Sequence, residues 1–134
     1  MQIVAETKNV RTSPRKLQLV ADAIRKQKVA KAMELLQLSE KRSAVVLQKT
    51  LKSAIANAVH NGKLSQDVLV IERIDVSGGP ALKRFHPSTR GRVHPYKKRS
   101  SHVRIVLTDN QTKNEKRKTQ NKEEEKKVQK EAKK

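Results

Sequence analysis

The chain has 134 residues and a formal net charge of +19, with 32 lysines and arginines against 13 acidic residues. This length predicts one modest domain, and the scarcity of aromatic residues requires an aliphatic core. The absence of cysteine excludes disulfides and thiolate zinc sites and fits a reducing cytosol. No run of ~18 apolar residues is present, so we expect no membrane span. The charge instead predicts an anionic polymer as partner.

The first predicted elements are a strand and a helix. Residues 3–10 are a weak strand candidate. Ser13 suits a helix N-cap, and Pro14 suits the first helical position because its missing N–H has no partner there. Apolar residues then recur with helical spacing at Leu17, Val20, Ala21 and Ile24.

Two further helices are predicted before the chain changes character. Val29–Leu38 predicts a short helix, and Ser39 is a candidate N-cap for a longer one that runs to about Asn61. Gly62 is a stop signal for that helix. Its predicted apolar stripe consists of Ala44, Leu47, Leu51, Ile55, Ala58 and Val59.

The second half of the folded part predicts strands. Residues 68–76 are rich in Val and Ile, which favour strands. In residues 103–107 every second side chain is a large aliphatic one, which is typical of a strand with one buried face. The intervening segment, about residues 77–101, is longer than most loops of compact domains, and loops of this length usually have a function or are disordered. Gly91 permits a turn with positive φ, so we expect a long hairpin. Its apolar residues are too sparse for a core, so we expect it to protrude and become ordered on its partner.

The charge of this hairpin is the strongest functional signal. Between Val76 and Thr108 there is no acidic residue, but there are eight basic ones, three histidines and the chain's only two aromatics, Phe85 and Tyr96. Arginine forks suit phosphate, and the aromatics and histidines can stack on unpaired bases. The candidate phosphate-binding cations are Lys83, Arg84, Arg90, Arg92, Lys97, Lys98 and Arg99.

A second candidate site surrounds the start of the first helix. Cations are poorly placed at a helix N-terminus, where the macrodipole is positive. A bound phosphate would reverse that interaction and accept hydrogen bonds from free backbone N–H groups. The alternative is that the chain tolerates this small cost. The residues concerned are Arg11, Ser13, Arg15 and Lys16.

Polar residues on the third helix form a weaker candidate. Ser53, Asn57 and Asn61 follow one another at intervals of four residues. This ridge is placed to meet RNA sugars or the base of the hairpin. Asn61 can equally serve only to end the helix.

The sequence disfavours a catalytic or a metal-binding function. The four histidines invite a nuclease or metal hypothesis, with His86, His94 and Lys97 as the catalytic candidates. The hairpin supplies no carboxylate or cysteine as a further ligand, and loop positions lack a framework to fix catalytic geometry. We therefore expect no catalytic residue, metal, cofactor or small-molecule substrate.

The chain divides into two regions by composition. Residues 1–109 predict an RNA-binding globular domain that includes the hairpin. Residues 110–134 predict a basic low-complexity tail, because Val128 and Ala132 are its only apolar residues.

Several motifs in this order resemble one known family. They are Ser13-Pro14-Arg15-Lys16-Leu17, residues 52–58 with His60-Asn61, Gly79-Pro80, Leu82-Lys83-Arg84, Gly91-Arg92, and residues 98–102. Together they resemble the bacterial large-subunit ribosomal proteins numbered twenty-two. The resemblance covers residues 1–109.

This resemblance implies an α+β fold, with three helices packed on a three-stranded antiparallel sheet and a long protruding β-hairpin. It implies a structural protein of the cytoplasmic ribosome whose partners are large-subunit rRNA, neighbouring ribosomal proteins and the nascent polypeptide. The hairpin tip would line the exit tunnel through His86, Pro87, Ser88, Thr89, Arg90, Gly91, Arg92 and Val93. The expected rRNA-binding residues are Arg11, Ser13, Arg15, Lys16, Asn57, Asn61, Lys83, Arg84, Lys97, Lys98, Arg99 and His102.

The main alternative is a free-standing RNA- or DNA-binding protein, such as an RNA chaperone. A membrane-surface role is more distant, because the hairpin lacks the broad apolar face that such binding needs.

Overall fold

The computed structural model describes residues 2–109, and the predicted tail lies outside them. Three helices and three strands form an α+β fold, as expected. In chain order the elements are β1 (Gln2–Val10), α1 (Pro14–Ile24), α2 (Val29–Leu38), α3 (Arg42–His60), β2 (Leu69–Pro87) and β3 (Val93–Asp109). Short 3-10 turns lie at Gln66–Val68 and Thr89–Gly91.

The sheet is antiparallel, with β3 between β1 and β2. Leu107 pairs with Ile3 on one side and with Ile71 on the other. Because paired residues of neighbouring strands point to the same face, this row forms one apolar surface. The helices cover that surface, and all three side chains are buried.

The helices bury the residues that their spacing predicts, with one exception. In α1 the buried set is Leu17, Val20, Ala21 and Ile24, as expected. In α3 the predicted stripe is correct for Ala44, Leu47, Leu51 and Ala58, and Ile55 is half-buried. Val59 was assigned wrongly, since it is 46% exposed. Ala54 is buried instead. It follows Leu51 by three residues, and Leu51 follows Leu47 by four, so these side chains share the face of the helix that packs on the core.

The helix ends differ in part from the expectation. Ser13 is the N-cap of α1 and Pro14 is its first residue, but the Ser13 side chain makes no capping hydrogen bond. Helix α3 begins at Arg42, with Lys41 at the N-cap, so the prediction of a cap at Ser39 was wrong. Ser39 itself is the C-cap of α2.

The end of α3 follows the glycine signal. Gly62 N–H donates a hydrogen bond to the Ala58 carbonyl at 3.1 Å. A side chain at Gly62 would lie 2.8 Å from that same oxygen, so only glycine fits without a shift. The positive φ of the turn falls on the next residue, Lys63, at 50°.

The hairpin is formed by the direct continuation of β2 and β3. Their pairing runs from Leu69 opposite Asp109 to Pro87 opposite Val93, with register shifts between Ile71 and Arg73 and between Gly78 and Ala81. At the tip, Gly91 has the expected positive φ, at 70°, and Arg90 also has a positive φ, at 57°. The strands are thus longer than their apolar patterns predict, because cross-strand hydrogen bonds do not depend on side-chain hydrophobicity.

Candidate nucleic-acid interface

The start of α1 and the start of α3 border one open cleft of about 740 Å³. We call it the N-terminal cleft. It contains all four residues of the predicted phosphate site on α1, and α3 adds three residues that the sequence did not indicate. Its lining residues are Arg11, Thr12, Ser13, Arg15, Lys16, Leu19, Lys41, Arg42 and Ser43.

The charges in this cleft are uncompensated by the described part of the protein. Neither helix has an acidic residue in its first turn, and neither has a side-chain cap. The described ion pairs involve Lys8, Arg25 and Arg73, none of which lines the cleft. Two positive helix ends therefore meet among five cationic side chains, an arrangement that favours an anion.

A second groove, of about 250 Å³, lies at the base of the hairpin. We call it the hairpin-base groove. Arg11 lines both the cleft and this groove, so the two basic surfaces are continuous. The groove is lined by Asn9, Arg11, Pro80, Leu82, Arg84, Lys98, Arg99 and Ser100.

Three predicted binding residues therefore meet Arg11 at this groove: Arg84, Lys98 and Arg99. Lys83 and Lys97 are cross-strand partners nearby, and both are exposed. Like charges placed directly opposite each other in a sheet repel. The described protein has no acidic side chain within the hairpin to offset this repulsion, so a polyanion would stabilise the ribbon.

The distal part of the hairpin has two chemically different faces. Phe85 pairs with Pro95, and Pro87 pairs with Val93, which gives one face an apolar patch. Phe85 is 68% exposed there and free to contact a flat apolar group. The other face carries the histidines and Tyr96.

On that second face, His86 and Tyr96 stack on each other. Their ring centroids lie 4.4 Å apart with an interplanar angle of 10°. The sequence predicted only that these rings can stack on unpaired bases. In the structure they form one stacked pair on the exposed hairpin, and their stacking on bases stays a prediction.

Two predicted binding residues make contacts within the fold. Asn57 Nδ2 donates to the Val4 carbonyl at 3.4 Å, so this helix residue reaches strand β1. His102 Nδ1 accepts a hydrogen bond from the Asn9 backbone N–H at 3.0 Å. Asn61 is the C-cap of α3, in agreement with the simpler of its two readings. That these three also contact rRNA stays a prediction.

The sequence missed Lys41, Arg42 and Ser43. Because α3 was expected to begin at Ser39, these residues were placed inside a helix rather than at its open end. The available signal was the chemistry of the segment: a basic pair at the start of a helix, with no acidic residue in the following turn.

Residues 2–109 contain no group of three or more potential metal ligands. Within the same range, no helix is long and apolar enough to cross a membrane.

Comparison with known proteins identifies the family. The model of the family "Ribosomal protein L22p/L17e" matches residues 5–108, which is most of the chain. The chain belongs to this family. It is 42% identical over 113 residues to "Large ribosomal subunit protein uL22" of Macrococcus caseolyticus. That match covers 84% of this chain and 91% of the relative.

Membership in the L22 family confirms the resemblance drawn from the motifs. The matched range includes α1, α3 and both hairpin strands, and so contains the cleft and the groove in full.

Proposed function

We propose that this protein binds large-subunit rRNA through the N-terminal cleft, the hairpin-base groove and the hairpin, supports assembly of the subunit, and lines the polypeptide exit tunnel with the hairpin tip. As a member of the L22 family, the chain is a structural constituent of the large ribosomal subunit and is located in the cytoplasmic ribosome. The family is structural rather than catalytic.

The observation that carries the rRNA proposal is the uncompensated charge of the hairpin. Nearly every residue from Ala81 to Arg99 is exposed, and no acidic side chain lies among them. The hydrophobic core takes no residue from this segment. A two-stranded ribbon without a core is marginal in water. Phosphates on both sides would remove the repulsion and hold it extended.

The N-terminal cleft and the hairpin-base groove extend this surface onto the globular part. They offer cations from α1, α3 and both hairpin strands, joined through Arg11. Such an arrangement suits folded RNA, in which several backbone segments converge. Shape and phosphate contacts of this kind dominate recognition of structured RNA.

The tunnel proposal concerns residues 86–93. They lie at the far end of the ribbon, around the tight turn with positive φ at Arg90 and Gly91. If the two strands of the hairpin contact rRNA along their length, this turn is the part of the hairpin farthest from the globular part. We propose that the tip residues face the nascent polypeptide, and that neighbouring ribosomal proteins contact other parts of the surface.

Equilibrium binding to large-subunit rRNA at several salt concentrations tests the rRNA proposal. Roughly eight phosphate contacts would give a log–log slope of about −6 to −7. Tyr96 is the only tyrosine and there is no tryptophan, so protein fluorescence reports directly on the hairpin. A salt-independent affinity, or Tyr96 emission unchanged at saturation, would contradict binding through the hairpin.

Variants in which neutral glutamines replace cationic residues locate the interface. Five substitutions to Gln at Lys83, Arg84, Lys97, Lys98 and Arg99 are expected to lower rRNA affinity by more than tenfold and to flatten the slope. The control carries five Gln substitutions at exposed lysines that line neither the cleft nor the groove: Lys28, Lys31, Lys49, Lys52 and Lys63. Equal losses in the two variants would mean that only net charge matters.

Co-sedimentation separates a subunit constituent from a free-standing RNA chaperone. The protein should remain with large subunits at moderate salt, whereas a chaperone would wash off. For the tip, cross-linking from position 90 to a stalled nascent chain is expected. Cross-links to rRNA alone, with none to the nascent chain, would overturn the tunnel assignment.

A further inference from the structure

The face of the sheet that points away from the helices, which we call the outer face, carries charges of both signs. Within residues 2–109 it holds the carboxylates of Glu6, Glu72 and Asp75. No acidic residue lines the N-terminal cleft or the hairpin-base groove. The outer face therefore differs in kind from the surfaces that suit rRNA.

A β-bulge in β2 places two consecutive charged side chains on the outer face. Glu72 is the extra residue between Ile71 and Arg73, and Arg73 pairs with Val106. A regular strand would direct one of the two charged side chains toward the helices, but here both line a groove of about 460 Å³. We call it the outer groove. Val106 and Val4 supply its apolar part, and Val4 is 39% exposed.

The cation at the centre of the outer face is left without an ion pair. Arg104 lies between Glu6 and Asp75 in the strand ladder. Each carboxylate is instead held by a cation of its own strand, since Lys8 Nζ lies 3.8 Å from Glu6 Oε2 and Arg73 Nε lies 3.0 Å from Asp75 Oδ2. The Arg104 side chain lines the outer groove and makes no ion pair or hydrogen bond with any described residue. Its guanidinium is available to an external carboxylate.

A hydroxyl group next to the outer groove is buried without a partner. Thr108 is 3% exposed, and its Oγ1 makes no hydrogen bond to any described residue. Its side chain belongs to the outer face because it alternates with that of Leu107. Gln2, its neighbour on β1, donates instead to Glu72 at 2.9 Å across the central strand. Buried hydroxyl groups normally have a partner, and the exposed Gln2 side chain can turn aside to admit one.

We propose that the outer groove is the docking site for a segment of a neighbouring ribosomal protein in which an acidic side chain lies next to an aliphatic one. The aliphatic side chain packs on Val4 and Val106, and the carboxylate accepts from the Arg104 guanidinium. A main-chain carbonyl of the segment accepts from the Thr108 hydroxyl after Gln2 turns aside. This inference rests on the proposed function, in which neighbouring ribosomal proteins contact the surface outside the rRNA sites.

The charge pattern favours a protein segment over an RNA strand. One carboxylate can reach Arg104 while the residues next to it stay clear of Glu6 and Asp75. An RNA strand has a phosphate at every nucleotide, so the phosphates on either side would meet those carboxylates. Like charges brought together in this way exclude a partner.

The first arm of the test uses the photo-cross-linker p-benzoylphenylalanine at position 4 of the full chain, incorporated into large subunits. The expected adduct survives ribonuclease, is destroyed by protease, and maps within a few residues of an Asp or Glu in another ribosomal protein. Position 98, in the hairpin-base groove, is the control and should give rRNA adducts. If position 4 gives adducts with rRNA, adducts with residues 110–134 of the same chain, or none, the inference is wrong.

The second arm uses Arg104→Gln. It should lower the yield of the protein adduct at position 4 at least fivefold and leave the affinity of the free protein for rRNA within twofold. Lys49→Gln is the matched control, because it removes the same charge from an exposed part of α3 that lines none of the three surfaces. Weaker rRNA binding by Arg104→Gln than by Lys49→Gln would make Arg104 a phosphate ligand and overturn the inference.

The third arm uses Thr108→Val, which keeps the shape of the side chain and removes the hydroxyl. The melting temperature of the free protein should not fall, because no hydrogen bond is lost within the described fold. The adduct yield at position 4 should fall several-fold, and an unchanged yield would remove Thr108 from the proposed site.

The two proposals can fail separately. Loss of the rRNA adducts at position 98 contradicts the proposed function. Their presence, together with no protein adduct at position 4, leaves the proposed function standing and overturns this inference alone.

Discussion

His102 Nδ1 accepts the backbone N–H of Asn9 at 3.0 Å and so ties strand β3 to the irregular end of β1. Asn9 has a positive φ of 56° where the pairing of β1 with β3 shifts register. The neighbouring Ser101 hydroxyl donates to the Thr12 carbonyl. Two consecutive residues at the hairpin base therefore fix the segment on either side of Arg11, which lines both basic surfaces.

Replacing this imidazole should loosen the segment. His102→Ala removes the acceptor of the Asn9 N–H, and we expect a loss of about 1 kcal/mol in the free energy of unfolding. Urea denaturation followed by circular dichroism measures it. His60→Ala, at the exposed end of α3, is the control and should change little. A His102→Ala variant as stable as the control would show that the bond contributes nothing.

The two adjacent glycines at the hairpin base should differ sharply. A Cβ at Gly79 would lie 2.7 Å from Ser100 Oγ and 3.1 Å from His102 Nε2, whereas one at Gly78 meets nothing within 4 Å. Gly79→Ala must displace Ser100, whose hydroxyl donates to the Pro80 carbonyl. We expect it to be about 1 kcal/mol less stable than Gly78→Ala. Equal melting temperatures for the two variants would contradict the close approach.

The end of α3 offers a pair of substitutions with opposite signs. Gly62→Ala places a methyl group 2.8 Å from the Ala58 carbonyl oxygen and 3.1 Å from Ile3 Cδ1, so backbone must move. We expect destabilisation of about 1–3 kcal/mol. Lys63→Gly relieves a left-handed conformation at φ 50° and should be neutral or stabilising by up to about 1 kcal/mol. Thermal unfolding of both variants checks which one is the more stable. If Gly62→Ala were more stable than Lys63→Gly, the requirement for glycine at position 62 would be wrong.

Removing the outer hairpin should spare the globular fold. Arg84 and Tyr96 are directly opposite each other, so an Asn-Gly turn in place of residues 85–95 can close the ribbon there. None of the replaced residues belongs to the core. We expect the free energy of unfolding to change by less than about 0.5 kcal/mol, as for other surface changes. Global unfolding of this variant in circular dichroism would show that the arm supports the domain.

The basic hairpin and the candidate phosphate site at the start of α1 could be predicted from the sequence because their signals are local. A long run without acidic residues, a Ser-Pro helix start and a glycine in the predicted turn can each be read from one continuous segment of the chain. The core stripe of α1 was predicted correctly for the same reason, since helical spacing alone determines which side chains share a face. The error at Val59 arose because successive helix residues point in different directions, and Ala58 faces the core whereas Val59 does not.

By itself, then, the sequence determined the α+β elements, the charge of the hairpin and the family. Only the tertiary structure decided that α3 begins beside α1, that Arg11 joins the cleft to the groove, and that His102 holds β1. The physical reason is distance along the chain: Ser13 and Ser43, or Asn9 and His102, become neighbours only when aliphatic side chains from distant segments pack into one core. No spacing rule within either segment encodes that packing.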